Sequence, residues 1–319
     1  ANWYLEDGSV TVNADNSGQT VTQGSTSTPD EAPVITQRGS SAETSNTITI
    51  NAAENATANV TISDVNINTS DAAVSTKGKG NVNIELDGTN TLKSSNWHAG
   101  LEKNNDGKLT ITDKNENGKL IATGSRYGAG IGGGNQRNGS NITITGGEIT
   151  AIGGYNGAGI GGGDLGGGSN ITITGGEITA IGGYSGAGIG GGNYKDGNDI
   201  KIAGGKVTAT GGDYGAGIGG GNQGNGKNIT ITGGEVTAAG GTNGAGIGGG
   251  ARRNGEKITV SGDATLKVQG GLADTWDGAG AGIGNGGSHN GEFSGSFIPV
   301  NGAETEPDTS NLTTGKIEY

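Results

Sequence analysis

The segment NITITGG starts at Asn141 and again at Asn170, is echoed as DIKIAGG from Asp199, returns from Asn228, and degrades to KITVSG from Lys257. Each step is 29 residues. A second marker, GAGIGGG, keeps the same step at 128–134, 157–163, 186–192, 215–221 and 244–250. Two markers with one period describe a unit that stacks on copies of itself and buries a continuous core between neighbours.

Within one unit, Ile142-Thr-Ile144 alternates with period two, Glu148-Ile149-Thr150-Ala151 does so again, and Ala158-Gly-Ile160 supplies a third short run, with Gly or Gly-Asn turns between them. Three strands per unit predict an all-β, right-handed parallel β-helix. A strand-plus-helix repeat is excluded because no unit carries a helical period and glycine is a poor helix former. The expected inward columns are Ile142/Ile171/Ile200/Ile229/Ile258, Ile144/Ile173/Ile202/Ile231 and Ile160/Ile189/Ile218/Ile247. Asn135/Asp164/Asn193/Asn222 form a turn column that reads as a side-chain ladder.

Composition then becomes intelligible. Only 29% of the 319 residues are hydrophobic and 73 are glycine, a balance that in an aperiodic chain would indicate disorder. Here the glycines serve tight corners and close coil-to-coil approach. The net charge of −12 opposes nucleic acid and anionic membranes as partners. No apolar run is long enough for membrane insertion, and without cysteine there is neither a disulfide framework nor a thiolate metal site. The chain opens at Ala1 with no signal-peptide pattern and reads as a mature protein or an excised fragment. Its Asn/Thr/Gly/Ser richness and acidic balance suit an extracellular or cell-surface location in a bacterium.

Earlier coils keep the plan less regularly, at Asn59-VTISD, Asn81-VNIEL and Lys108-LTIT, with steps of 22, 27 and then 33 residues to Asn141. The expected organisation is an N-terminal cap at 1–46 containing Ser9-VTV and Pro33-VIT, a β-helix at 47–287 with regular repeats over about 119–271, and a C-terminal cap at 288–319 built on Phe293, Phe297 and Ile298.

The stretches TSNTITINAAENATANVTISDVNI and NTLKSSNWHAGLEKNNDGKLTIT, followed by repeated ITGGEITAIGGYNGAGIGGG, resemble parallel β-helix modules of large cell-surface proteins in Clostridia and related gut Firmicutes. The resemblance spans roughly residues 45–287. It implies the fold and, through the carbohydrate-binding label such modules carry, a glycan partner. It transfers no catalytic residue.

Aligning coils on the Ala of GAGIG places Trp97, Tyr127 and Tyr214 two residues before it and Tyr155 and Tyr184 three before, with Trp276 near the same corner. Two readings follow: the rings stack on successive sugars, or they stack on each other and shield a glycine-rich corner. Glu148, Glu177 and Glu235 share a second column with Lys206 between the last two. A close carboxylate pair would suit glycoside hydrolysis. Alternation against inward Ile149 instead points them outward, as an ion-pair ladder. No cofactor is expected; calcium at Glu148 and Glu177 or at Asp164 is the one metal reading, and the GGxGxDx pattern is missing. His98 and His289 lack a partner at any motif spacing, and His98 reads as a surface residue beside Trp97. Thr143/Thr172/Thr230/Thr259 and Thr145/Thr174/Thr232 form T-x-T columns resembling ice-binding solenoid faces, broken at Lys201 and Ala203.

The expected function is a glycan-binding adhesin module whose partner is a polysaccharide or host glycan. The alternatives are a β-helix glycoside hydrolase or polysaccharide lyase, a purely structural stalk and, more remotely, an ice-binding protein.

Overall fold

A computed structural model describes residues 1–288 and 302–319 and shows a parallel β-solenoid of about nine coils. Each regular coil contributes one strand to each of three sheets. Gly139–Ile144 and its repeats build the first, Glu148–Ile152 and its repeats the second, and the two-residue Ile160–Gly161 and its repeats the third. Neighbouring coils pair parallel and in register: Ile142 faces Ile171, Ile149 faces Ile178 and Ile160 faces Ile189. The three isoleucine columns are buried throughout, and Ala151, Ala180, Ala209 and Ala238 complete the interior of the second sheet. Stacking identical side chains on themselves supplies the apolar burial that a composition so poor in large side chains would otherwise lack.

Two local features explain why the repeat reads as it does. The register skips Asn141 and Asn170 between Ser140↔Ser169 and Ile142↔Ile171. Both asparagines have left-handed backbone, φ 57° and 51°. Asparagine tolerates that conformation, and its amide continues the ladder: Asn170 Nδ2 donates to Asn141 Oδ1, and Asn228 Nδ2 donates to Asp199 Oδ1 at 2.6 Å. The turn column behaves alike, Asn193 Nδ2 donating to Asp164 Oδ1 at 3.3 Å and Asn222 Nδ2 to Asn193 Oδ1 at 3.2 Å.

The irregular coils share the same sheets. Thr57–Ser63, Asn81–Asp87 and Leu109–Thr112 pair in series and hand on to Gly139–Ile144. The first 46 residues also join: Val34–Thr36 pairs parallel with Thr57–Ser63, Asn2–Tyr4 pairs with Val34–Thr36, and Val10–Asp15 pairs parallel with Ile48–Ala52. Val10–Asp15 also opens an antiparallel run through Gly18–Gln23 to Thr26–Pro29, whose Pro29 lacks a donor and blunts that open edge. At the other end Lys316–Glu318 pairs with Thr265–Gln269. His289, Phe293, Phe297 and Ile298 lie outside the described residues. Among those described there is no α-helix and no helix long and apolar enough to cross a membrane.

Candidate functional site

All six aromatics expected along one corner fall in turns between the second and third sheets. Trp97 stacks on Tyr127 with ring centroids 4.8 Å apart and planes 9° from parallel. Tyr155 stacks on Tyr184 at 4.8 Å and 8°, and Tyr184 meets Tyr214 edge to face at 6.1 Å. Among the described residues no ring contact joins Tyr127 to Tyr155. The Arg126 guanidinium joins them, 5.3 Å from the Tyr127 centroid and 6.0 Å from that of Tyr155. Trp276 is exposed, has no ring contact among the described residues, and shares a depression of about 170 Å³ with Tyr214, Arg252 and Asp274.

A 4.8 Å stack leaves no room for a sugar between rings, since each face already touches its neighbour. The faces available to a ligand are therefore at the ends. At the N-terminal end, Tyr127 covers one side of Trp97, and the indole borders a groove of about 820 Å³. Trp97 has φ 80°, a left-handed conformation costly for so bulky a residue, and remains 55% exposed. Backbone strain spent on presenting an aromatic side chain is the kind that clusters at ligand sites.

The floor of this groove is not one the sequence revealed. His98 does not stand free beside Trp97: its Nδ1 lies 3.0 and 3.1 Å from the two Glu102 oxygens, and its Nε2 lies 3.3 Å from Asp71 Oδ1. Glu102 is buried and further held by the Ala99 N–H at 3.3 Å and by Asn104 Nδ2 at 3.3 Å. Lys103, equally buried, donates through Nζ to the Asn105 carbonyl. Burial drives its ammonium down to about 8, against a smaller opposing pull from Asp106. Asn105 ties the corner together, accepting from Thr76 Oγ1 at 2.6 Å and donating to the Gly80 carbonyl at 3.0 Å. Lys77, Asn135, Gln136, Arg137 and Asn138 complete the walls. Aligning HAGLEKNND beneath GAGIGGGNQ would have exposed the signal: Glu102, Lys103 and Asn104 stand where the next coil has Gly132, Gly133 and Gly134.

The carboxylate column lies elsewhere. Glu148, Glu177 and Glu235 are exposed on the outer face of the second sheet, in a register running Lys119, Glu148, Glu177, Lys206, Glu235. Lys119 pairs with Glu148 at 3.3 Å. Among the described residues no group of three or more His, Asp or Glu side chains converges as a metal site. The T-x-T columns are interrupted by Lys201, which pairs with Thr172 on one side and Thr230 on the other.

The Beta helix repeat family model matches this chain in five segments, residues 116–135, 142–164, 171–193, 200–222 and 229–251. Each segment after the first opens on the NITI strand or its DIKI counterpart and ends just past the glycine corner of the same coil, and the coil bearing Trp97 and Glu102 lies before them all. No curated protein and no solved structure matches the chain. The match accounts for the coil and carries no chemistry, because one fold hosts many functions.

Proposed function

We propose that this chain is a carbohydrate-binding module displayed at a bacterial surface or secreted, and that it grips glycan in the groove at the N-terminal end of the aromatic ladder. The observation that carries this reading is Trp97: one face stacked on Tyr127, the ring bordering an 820 Å³ groove, and the backbone at φ 80°. Indole faces stack on the C–H faces of sugar rings, and a few fixed polar groups set orientation. The groove supplies the latter through Asn104, Asn135, Gln136 and Asn138. Its volume falls in the usual range for small-molecule sites, about 300–1,000 Å³.

A hydrolytic role has less behind it. The outward glutamates sit on an open face with lysines in their column, and Glu102 has its oxygens committed to His98, Ala99 and Asn104. The stalk reading leaves the strained indole and the groove without a purpose.

The reading is tested by screening the purified chain on a glycan array and titrating the best ligand against Trp97→Ala. Loss of a hot-spot aromatic lowers affinity by about tenfold or more. Unchanged affinity would remove the groove as the site, and an array with no saturable ligand would remove the glycan reading itself.

A further inference from the structure

The stretch of chain that contributes the groove differs in charge from the rest of the molecule. Residues 77–137 hold nine of the 19 lysines and arginines and only six of the 31 acidic residues, a net +3, which leaves −15 for the remainder. Lys77, His98, Lys103 and Arg137 line the groove against Glu102 and Asp106. Glu102 is already matched: His98, the Ala99 N–H and the Asn104 amide face its two oxygens. Among the described residues, Lys77, Lys103 and Arg137 have no ion-pair partner within 4.0 Å, although Asp106 acts on Lys103 from farther away. Cations without an ion-pair partner around a concave site, in a chain that is acidic elsewhere, call for an anion on the ligand. A buried ammonium strengthens that demand, since its field is poorly screened by solvent.

We propose that the groove selects an acidic saccharide, an oligosaccharide bearing hexuronate residues, with a sugar ring on the open face of Trp97 and its carboxylate turned to Lys77, Lys103 and Arg137. This rests on the carbohydrate reading above and narrows it to a ligand class. A carboxylate fits the planar guanidinium of Arg137 through two parallel N–H donors. The acidic remainder of the solenoid repels long polyanions elsewhere on the surface, so binding is confined to one end of the ladder.

The test is calorimetric titration with short galacturonate, glucuronate and mannuronate oligomers, each beside its carboxyl-reduced neutral counterpart. At least one acidic oligomer is expected to bind about tenfold or more tightly than its neutral partner. That preference should collapse toward parity in Lys77→Ala/Arg137→Ala, two exposed positions whose loss spares the core, while Trp97→Ala weakens the acidic and neutral forms alike. Equal affinity for acidic and neutral oligomers would overturn the acid selectivity and leave the carbohydrate reading standing. Binding of neither form by any member of the panel would overturn the hexuronate assignment, and the glycan array then decides the carbohydrate reading on its own. An acid preference that survives Lys77→Ala/Arg137→Ala and Lys103→Met would place the anion site elsewhere and overturn the assignment.

Discussion

In the third sheet, Ser75 pairs with Glu102, Glu102 with Gly132, and the column continues through Gly161, Gly190, Gly219, Gly248 and Gly284. From Gly132 onward every member has φ between 136° and 139°, and in the regular coils a Cβ there would lie about 2 Å from the carbonyl oxygen of the next coil. The repeating corner thus has no space for a side chain of any kind. One coil earlier the same position holds a carboxylate clamped by histidine, and the following position a buried lysine. Regular coils give up side chains for close, identical stacking; the irregular coil gives up some of that stacking and gains groups that can recognise something. The coils also fit each other across the boundary, for a Cβ on Gly134 would approach Glu102 Oε1 to 2.3 Å. The first regular coil therefore leaves the room that the glutamate fills.

The sharpest way to break this contrast is to put a side chain into the glycine column. Gly190→Ala meets both a left-handed backbone, φ 137°, and the Gly219 carbonyl at 2.0 Å. Strain and overpacking together should cost roughly 3–5 kcal/mol, read as a lowered urea midpoint. Glycan affinity should hold in the fraction that remains folded, because the nearest wall of the groove, at residues 134–140, lies two coils away. A midpoint equal to wild type would mean that the regular corner tolerates side chains after all, and the division between the two regions would lose its physical basis.

Lys103→Met tests the other side. Burial holds the Lys103 ammonium at about 8, below the 10.5 of an exposed lysine. Below about pH 8 folded and unfolded chains are both protonated, and folding bears the whole cost of a desolvated charge. As pH rises from 8 to 10.5 the folded chain has released its proton while the unfolded chain retains one, so stability increases across that window and then levels. Methionine removes the charge while keeping most of the volume. The variant should be more stable than wild type by about 2–3 kcal/mol at pH 7, with the gap closing by about pH 10.5. A stability difference that does not change with pH would show that the charge of Lys103 costs the fold nothing.

The two regions were also unequally legible in the sequence. An inward column needs the same apolar residue at the same step, so Ile142, Ile171 and Ile200 announce themselves, and the left-handed position at Asn141 is marked by a residue type that tolerates it. The His98 contacts in the groove keep no period. Asp71 reaches His98 across 27 residues rather than 29, and His98 meets Glu102 within one turn of chain only because the corner folds back. The alignment did place Trp97 and Tyr127 in one column and Tyr155 and Tyr184 in the next. Whether such rings face a ligand or each other depends on backbone and side-chain torsions, and those belong to the turn rather than to the spacing. The T-x-T columns show the reverse case: a regular pattern whose regularity follows from outward strand positions alone.

The smallest expected effect separates the middle of the ladder from its end. Tyr184 touches Tyr155 face to face and Tyr214 edge to face, so Tyr184→Ala should cost about 1–2 kcal/mol of stability at the usual worth of an aromatic pair. It should leave glycan affinity unchanged, since its stacked face is occupied by Tyr155 and no part of it borders the groove. Trp97→Ala, with only Tyr127 stacked upon it, should lose less stability and more affinity. Measuring both quantities for both variants gives a crossed pattern if the site is the groove. If Tyr184→Ala instead abolished binding while Trp97→Ala did not, ligand would have to engage the exposed ring edges along the repeats. The regular coils, rather than the coil that interrupts them, would then carry the function.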